Sequence, residues 1–122
     1  MRFSGNRNFR VFPSMRFEYF LTALKHSEFI IGNSSAGVRE APYFGVPAIN
    51  VGTRQHRRSG STLVINSGFS SGELQSALDR VKSLPRLPEA NFGQGGSASR
   101  FLQLLKHPST WTVSVQKIFV DQ

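Results

Sequence analysis

The sequence predicts an α/β domain with a parallel sheet, a truncated doubly wound, Rossmann-like fold, on three observations. The apolar runs Phe29–Ile31, Pro47–Val51 and Thr62–Ile65 are too short for helices and read as buried strands. Segments with a helical apolar period alternate with them, the pattern of a parallel sheet covered on both faces. The order is helix, strand, helix, strand, strand, helix, helix, so the lead helix has no strand before it. That order fits the later half of a larger doubly wound domain.

Each element follows from its residues. Residues 1–13 form an extended lead-in ending at Pro13. Ser14 is the expected N-cap of a helix over 15–26, because Phe17, Phe20, Leu21 and Leu24 recur at i, i+3, i+4 and i+7. Gly32 closes the first strand. A short helix over 36–44 follows, limited by Pro42 and ended at Gly45. Residues 47–51 are the second strand, 52–61 a polar basic loop, and 62–65 the third strand. Ser70 with Glu73 matches a capping box, and Leu74, Ala77, Leu78 and Val81 continue at helical spacing. Residues 84–94, with Pro85, Pro88 and Gly93, form a loop. Ser97 caps a fourth helix with Ala98, Phe101, Leu102 and Leu105 on one face, and Pro108 stops it. The stretch 109–120 alternates weakly (Trp111, Val113, Val115) and fits a last helix or an extended tail equally.

Composition narrows the chemistry. At 122 residues the chain is one modest domain. It carries 15 Lys and Arg against 7 Asp and Glu, a net +8, which points to an anionic partner. There is no cysteine, so disulfides and thiolate catalysis are excluded. No apolar run reaches membrane-spanning length, and the polar start, Met1 to Arg10, lacks the apolar core of a secretory signal; a cytoplasmic location is expected. His26, His56 and His107 are isolated, and no His or carboxylate pairing has metal-ligand spacing. The acids are spread from Glu18 to Asp121 with no close pair, and no nucleophile elbow appears. A self-contained acid–base site is hard to build from this chain.

Three stretches can hold an anion. In Gly32–Pro42 a strand runs into a hydroxyl-rich turn and a helix start, which presents amides and hydroxyls to a phosphate. Ser34 and Ser35 lie there, and Glu40 stands where a carboxylate can accept from a ribose diol. The spacing equally fits a plain N-cap and a surface acid. Thr53–Arg58 follows the second strand at the same end of the sheet, where an arginine, Arg57 in particular, can fork onto phosphate oxygens; an exposed basic loop is the other reading. Phe92–Ala98 places glycines before a helix, again an anion approach or a flexible connector.

Several blocks then occur in order: Pro13–Phe20, Gly32–Pro42, Gly45–Pro47, Asn50–Gln55 with Arg57, Phe92–Ala98, and Gln116–Asp121. Over about residues 7–121 they resemble the C-terminal part of the hydrolysing UDP-N-acetylglucosamine 2-epimerases, the sialic-acid-pathway type. The resemblance implies half of the C-terminal domain of a glycosyltransferase-B-like fold, with 1–13 a lead segment, 14–106 an α/β core and 107–122 a tail or helix. It implies a UDP site in which Phe20 meets the uracil, Ser34, Ser35 and Ala36 hold the diphosphate, Glu40 binds the ribose hydroxyls and Arg57 contacts the nucleotide. No cofactor and no metal are expected. The family's catalytic carboxylates and key histidine lie in parts that this chain does not contain, so no residue here takes a catalytic role.

The expected partners follow. UDP or UDP-N-acetylglucosamine is the ligand. An open sheet edge, or the lead and tail segments, favours a homo-oligomer. A separate N-terminal partner chain would make an active epimerase component. A basic module for nucleic acid or protein is the alternative from another class, motivated by Arg54, Arg57 and Arg58, although no nucleic-acid-binding motif accompanies them.

Overall fold

The computed structural model describes residues 5–112, and the chain divides into two compact units, Met1–Phe92 and Gly93–Gln122. In the first unit, helix α1 (Phe17–Lys25) precedes strand β1 (Ile30–Gly32), a 3-10 turn (Ser35–Gly37), helix α2 (Glu40–Tyr43), strands β2 (Ala48–Val51) and β3 (Val64–Ser67), and helix α3 (Ser71–Val81). The sheet is parallel throughout, in the order β1-β2-β3. This is the partial Rossmann-like fold that the alternation of elements predicts. No helix among the described residues is long and apolar enough to cross a membrane.

The register explains the two cores. Ile30, Ala48 and Val64 are paired across the sheet and pack on the same side, with Leu24 of α1, Ala41 of α2 and Val46. Ile49 and Ile65, one residue further along, face the other way and pack on Ala77 and Val81 of α3. Successive side chains of a strand point to opposite faces, so a strand apolar at every position must be covered twice. Ile31 shares the row of Ile49 and Ile65 but is 48% exposed. Helix α3 packs on β2 and β3, which leaves that face of the edge strand β1 uncovered.

Several boundaries differ from the sequence-based expectation. The helix over 36–44 is broken. Pro42 has no N–H to donate to the carbonyl of Val38, so one continuous helix would lose that bond and crowd the proline ring. The chain restarts instead at Glu40, which puts Pro42 in the first turn of α2, where no N–H is required. The third strand starts at Val64 rather than Thr62. The Thr62 hydroxyl donates to the Glu89 carboxylate at 2.6 Å and its amide does so at 3.3 Å, so Thr62 belongs to a side-chain cluster. Burial pushes the Glu89 carboxyl up, but hydrogen bonds from Thr62, Ser61 and Asn91 outweigh it and hold it below its ordinary value. Helix α1 begins at Phe17, with Arg16 rather than Ser14 in the capping position.

The segment 86–89 is strapped to the unit by polar contacts. Arg86 donates to the carbonyls of Ser27 and Glu28, and the Glu89 amide donates to the Pro42 carbonyl. Gly45 follows α2 in the left-handed region (φ 68°), and a Cβ there would lie 3.0 Å from the Arg86 oxygen and the Pro88 nitrogen. Both neighbours are backbone and cannot step aside cheaply. Gly45→Ala is therefore expected to cost about 1–3 kcal/mol, part from the left-handed backbone and part from the contact, as measured by urea unfolding.

The capping box forms as expected. The Ser70 Oγ accepts from the Glu73 amide, and the Ser70 amide donates to the Glu73 carboxylate. Hydrogen bonds from Ser70 hold the Glu73 carboxyl below its ordinary value of 4.5. A lowered folded-state value stabilises above the unfolded one and is lost as pH falls through the folded one. The difference in urea midpoint between the parent chain and Glu73→Gln should thus be present at neutral pH and close in acid, below 4.5.

In the second unit, helix α4 (Ser97–Lys106) leads into a 3-10 turn (Pro108–Trp111). Its capping position is Gly96 in the left-handed region (φ 76°), so Ser97 is the first helical residue and not the cap. The Trp111 indole N–H donates to the Leu105 carbonyl at 2.9 Å, which folds the turn onto the helix end. Phe3, residues 113–120 of the expected tail and the Gln116–Asp121 block lie outside the described residues.

Candidate functional site

All three strands run in one direction, so the loops after β1 and β2 emerge at the same end of the sheet, where open α/β sheets bind ligands. The turn after β1 is tight. Ser34 is extended (φ −74°, ψ 144°), and its Oγ accepts from the Ala36 amide at 3.3 Å. The amides of Val38 and Arg39 both close onto the Ser35 carbonyl. Ser34 therefore caps the 3-10 turn through its oxygen, while its hydroxyl hydrogen remains available to an acceptor. Ala36 is buried, and Ser34 and Ser35 are exposed. A space of about 20 Å3, the size of one water, lies under the turn against Gly32, Ser34 and Gly37.

The structure places Ser34, Ser35 and Ala36 in this one turn, with Glu40 opening the next helix. Glu40 is half-buried, and its Oε2 is fully enclosed with no hydrogen-bond partner. Phe20 is half-buried too and packs on the core beside Leu24, Ala41, Val46 and Ala48. Arg57 is exposed in the loop after β2, in the left-handed region (φ 58°).

The residues that converge on the turn include several that sequence reasoning did not single out. A cavity of about 340 Å3 is lined by Ser35, Val38, Arg39, Gln55, Arg58 and Phe92. Arg57 and Phe20 do not line it. The Arg39 guanidinium lies 5.3 Å from the Phe92 ring centroid, a cation–π contact. Arg58 donates to Gln55 Oε1 at 3.1 Å. Neither guanidinium pairs with a carboxylate among the described residues, so both positive charges are uncompensated beside Ser35. Phe92 belongs to the first unit, and the glycines that follow it, Gly93, Gly95 and Gly96, belong to the second. Basic density in 54–58 was visible in sequence, but which arginine lines the cavity depends on the loop's backbone. No cluster of His, Asp or Glu able to hold a metal occurs among the described residues.

A parallel sheet with a capped, hydroxyl-bearing turn at its carboxyl end, and two arginines without carboxylate partners beside it, defines a partial Rossmann-like domain with a basic loop cluster at that end. The family model described as UDP-N-acetylglucosamine 2-epimerase matches residues 1–106, and the chain belongs to that family. It is 44% identical over 117 residues to the UDP-N-acetylglucosamine 2-epimerase of Neisseria meningitidis serogroup B, covering 93% of this chain and 31% of that protein. It is 32% identical over 98 residues to the hydrolyzing UDP-N,N'-diacetylbacillosamine 2-epimerase of Legionella pneumophila, covering 80% of this chain and 26% of that one. A GDP/UDP-N,N'-diacetylbacillosamine 2-epimerase of Campylobacter jejuni is 32% identical over 74 residues, 61% of this chain and 19% of that protein. The chain thus spans less than a third of the length of the curated relatives it matches.

Proposed function

We propose that this chain is a UDP- or UDP-sugar-binding piece of an epimerase. The diphosphate lies on Ser34, Ser35 and Ala36, the ribose hydroxyls on Glu40, and the uracil against Phe20. The loop 53–58 supplies the countercharge, Arg57 from its rim and Arg58 from the cavity wall. One observation carries the reading: Glu40 Oε2 is enclosed and unpartnered in the free chain. A buried carboxylate oxygen without a donor is costly, and a ribose diol brings two donors to which the half-buried Glu40 side chain can turn. The net charge of +8 and the names of the relatives, which specify UDP-linked sugars, point the same way. No residue is assigned acid–base work, so the chain alone binds without turning over its ligand. Titration with UDP, followed by amide shifts, is expected to perturb Ser34 to Glu40. No perturbation at millimolar UDP would sink the binding reading. Hydrolysis of UDP-N-acetylglucosamine by the purified chain alone would overturn its non-catalytic half.

A second reading, an epimerase component completed by another chain or copy, is favoured by Ile31, an exposed isoleucine on an edge strand, and by the fraction of the relatives that is spanned. An added strand would cover Ile31 and pair the open edge of β1. Light scattering over micromolar concentrations tests the self-assembled form; a constant monomer mass would count against it.

A further inference from the structure

Gln55 is 3% exposed, although it sits in the middle of a polar basic loop. Its amide is engaged at both ends. Nε2 donates to the Asn33 carbonyl at 3.2 Å, and Oε1 accepts from Arg58 Nη1 at 3.1 Å. Asn33 lies between β1 and the Ser34 cap, and Arg58 lies on the loop after β2. One buried side chain therefore ties together the two loops that emerge from adjacent parallel strands, over a sequence separation of 22 residues.

The loop's own geometry supports this link. The Arg58 amide donates to the Gln55 carbonyl at 3.2 Å, so residues 55–58 close a tight turn. Arg57, its third residue, is in the left-handed region (φ 58°), where glycine is cheaper by roughly 1 kcal/mol or more. That backbone reversal brings Arg58 back over Gln55 and into the wall of the cavity shared with Ser35. Arg58 has no carboxylate partner among the described residues, so the side-chain oxygen Oε1 of Gln55 is the contact that orients its guanidinium.

We propose that Gln55 is a positioning residue that sets the spacing between the Asn33–Ser35 turn and the Arg58 guanidinium, and so matches the two to the oxygens of a diphosphate. The proposal rests on the UDP-site reading above. Gln55 touches no ligand itself; it acts through Arg58 on one side and the turn on the other. An amide suits this place because it donates and accepts at once. Gln55→Glu keeps the acceptor for Arg58 but sets a carboxylate against the Asn33 carbonyl, and Gln55→Met keeps the length and removes both bonds.

The test compares UDP with uridine, using the full chain. Gln55→Met is expected to weaken UDP about tenfold or more while leaving uridine affinity unchanged, because only the diphosphate needs the matched pair. Gln55→Glu should shift the Ser34 and Ser35 amide resonances of the ligand-free chain and weaken UDP less than Gln55→Met. Arg58→Ala should show the same UDP-only loss, and the double variant Gln55→Met/Arg58→Ala no further loss, as for residues acting as one unit. Equal losses for UDP and uridine would reduce Gln55 to a structural role and overturn the proposal. So would additive losses, or parent-like UDP binding by Gln55→Met. If the parent chain binds no UDP, the functional reading itself fails; the ligand-free shifts at Ser34 and Ser35 in Gln55→Met then decide the link alone, and their absence overturns it.

Discussion

Ile49→Ala is expected to destabilise the first unit by about 2–5 kcal/mol, the range for a fully buried large-to-small change. Ile49 is 1% exposed at the centre of the middle strand, with Ile31 and Ile65 on either side in register and α3 packed beneath. Three neighbours fix the walls of the cavity that alanine would leave, so it cannot collapse freely. A small domain holds only about 5–15 kcal/mol in total, so the loss removes a large share of it. Ile31→Ala is the internal control. It sits in the same row but is 48% exposed, and its truncation should cost under about 1 kcal/mol. Urea unfolding with unchanged m-values checks both. Equal costs at the two positions would contradict the uncovered face of β1.

Glu40→Gln is expected to weaken UDP binding by about ten- to a hundredfold, the worth of roughly 1.5–3 kcal/mol for hydrogen bonds to a charged group. The same substitution should leave the free chain as stable as before or more so, because Oε2 of Glu40 has no partner to lose. A purely structural carboxylate would behave the other way, losing stability first. The specific readout is UDP lacking both ribose hydroxyls. It should bind the parent chain and Glu40→Gln alike, since the contact is absent in both cases. A parent chain that prefers UDP over this analogue, with the preference abolished by Glu40→Gln, places the ribose on the carboxylate.

Much of the framework was legible residue by residue. The runs around Ile30, Ile49 and Ile65 are apolar at successive positions, so they identify strands buried on both faces wherever neighbours cover them. Ser70 and Glu73 form their box from local geometry alone. Gly45 lies after α2 in a left-handed turn, as its sequence position predicts. Element bounds shifted where another residue, distant or adjacent, competed. Thr62 left the third strand because Glu89, far along the chain, accepts its hydrogen bonds. The helix after β1 broke because Pro42 could be accommodated only in a first turn. Ser97 lost its capping place to Gly96, which alone of the two enters the left-handed region without cost.

The sequence by itself determined the α/β class, the parallel sheet, the family, and the turn Ser34–Ala36 with Glu40 beside it, because periodicity, caps and motif spacing are local properties of the chain. Only the tertiary structure decided that Gln55 is buried, that Arg58 shares the cavity wall with Ser35, and that Ile31 is uncovered while Ile49 in the same row is not. Those facts depend on which segments from separate loops and helices meet, and an isolated glutamine, arginine or isoleucine carries the same local signal whether or not a partner covers it.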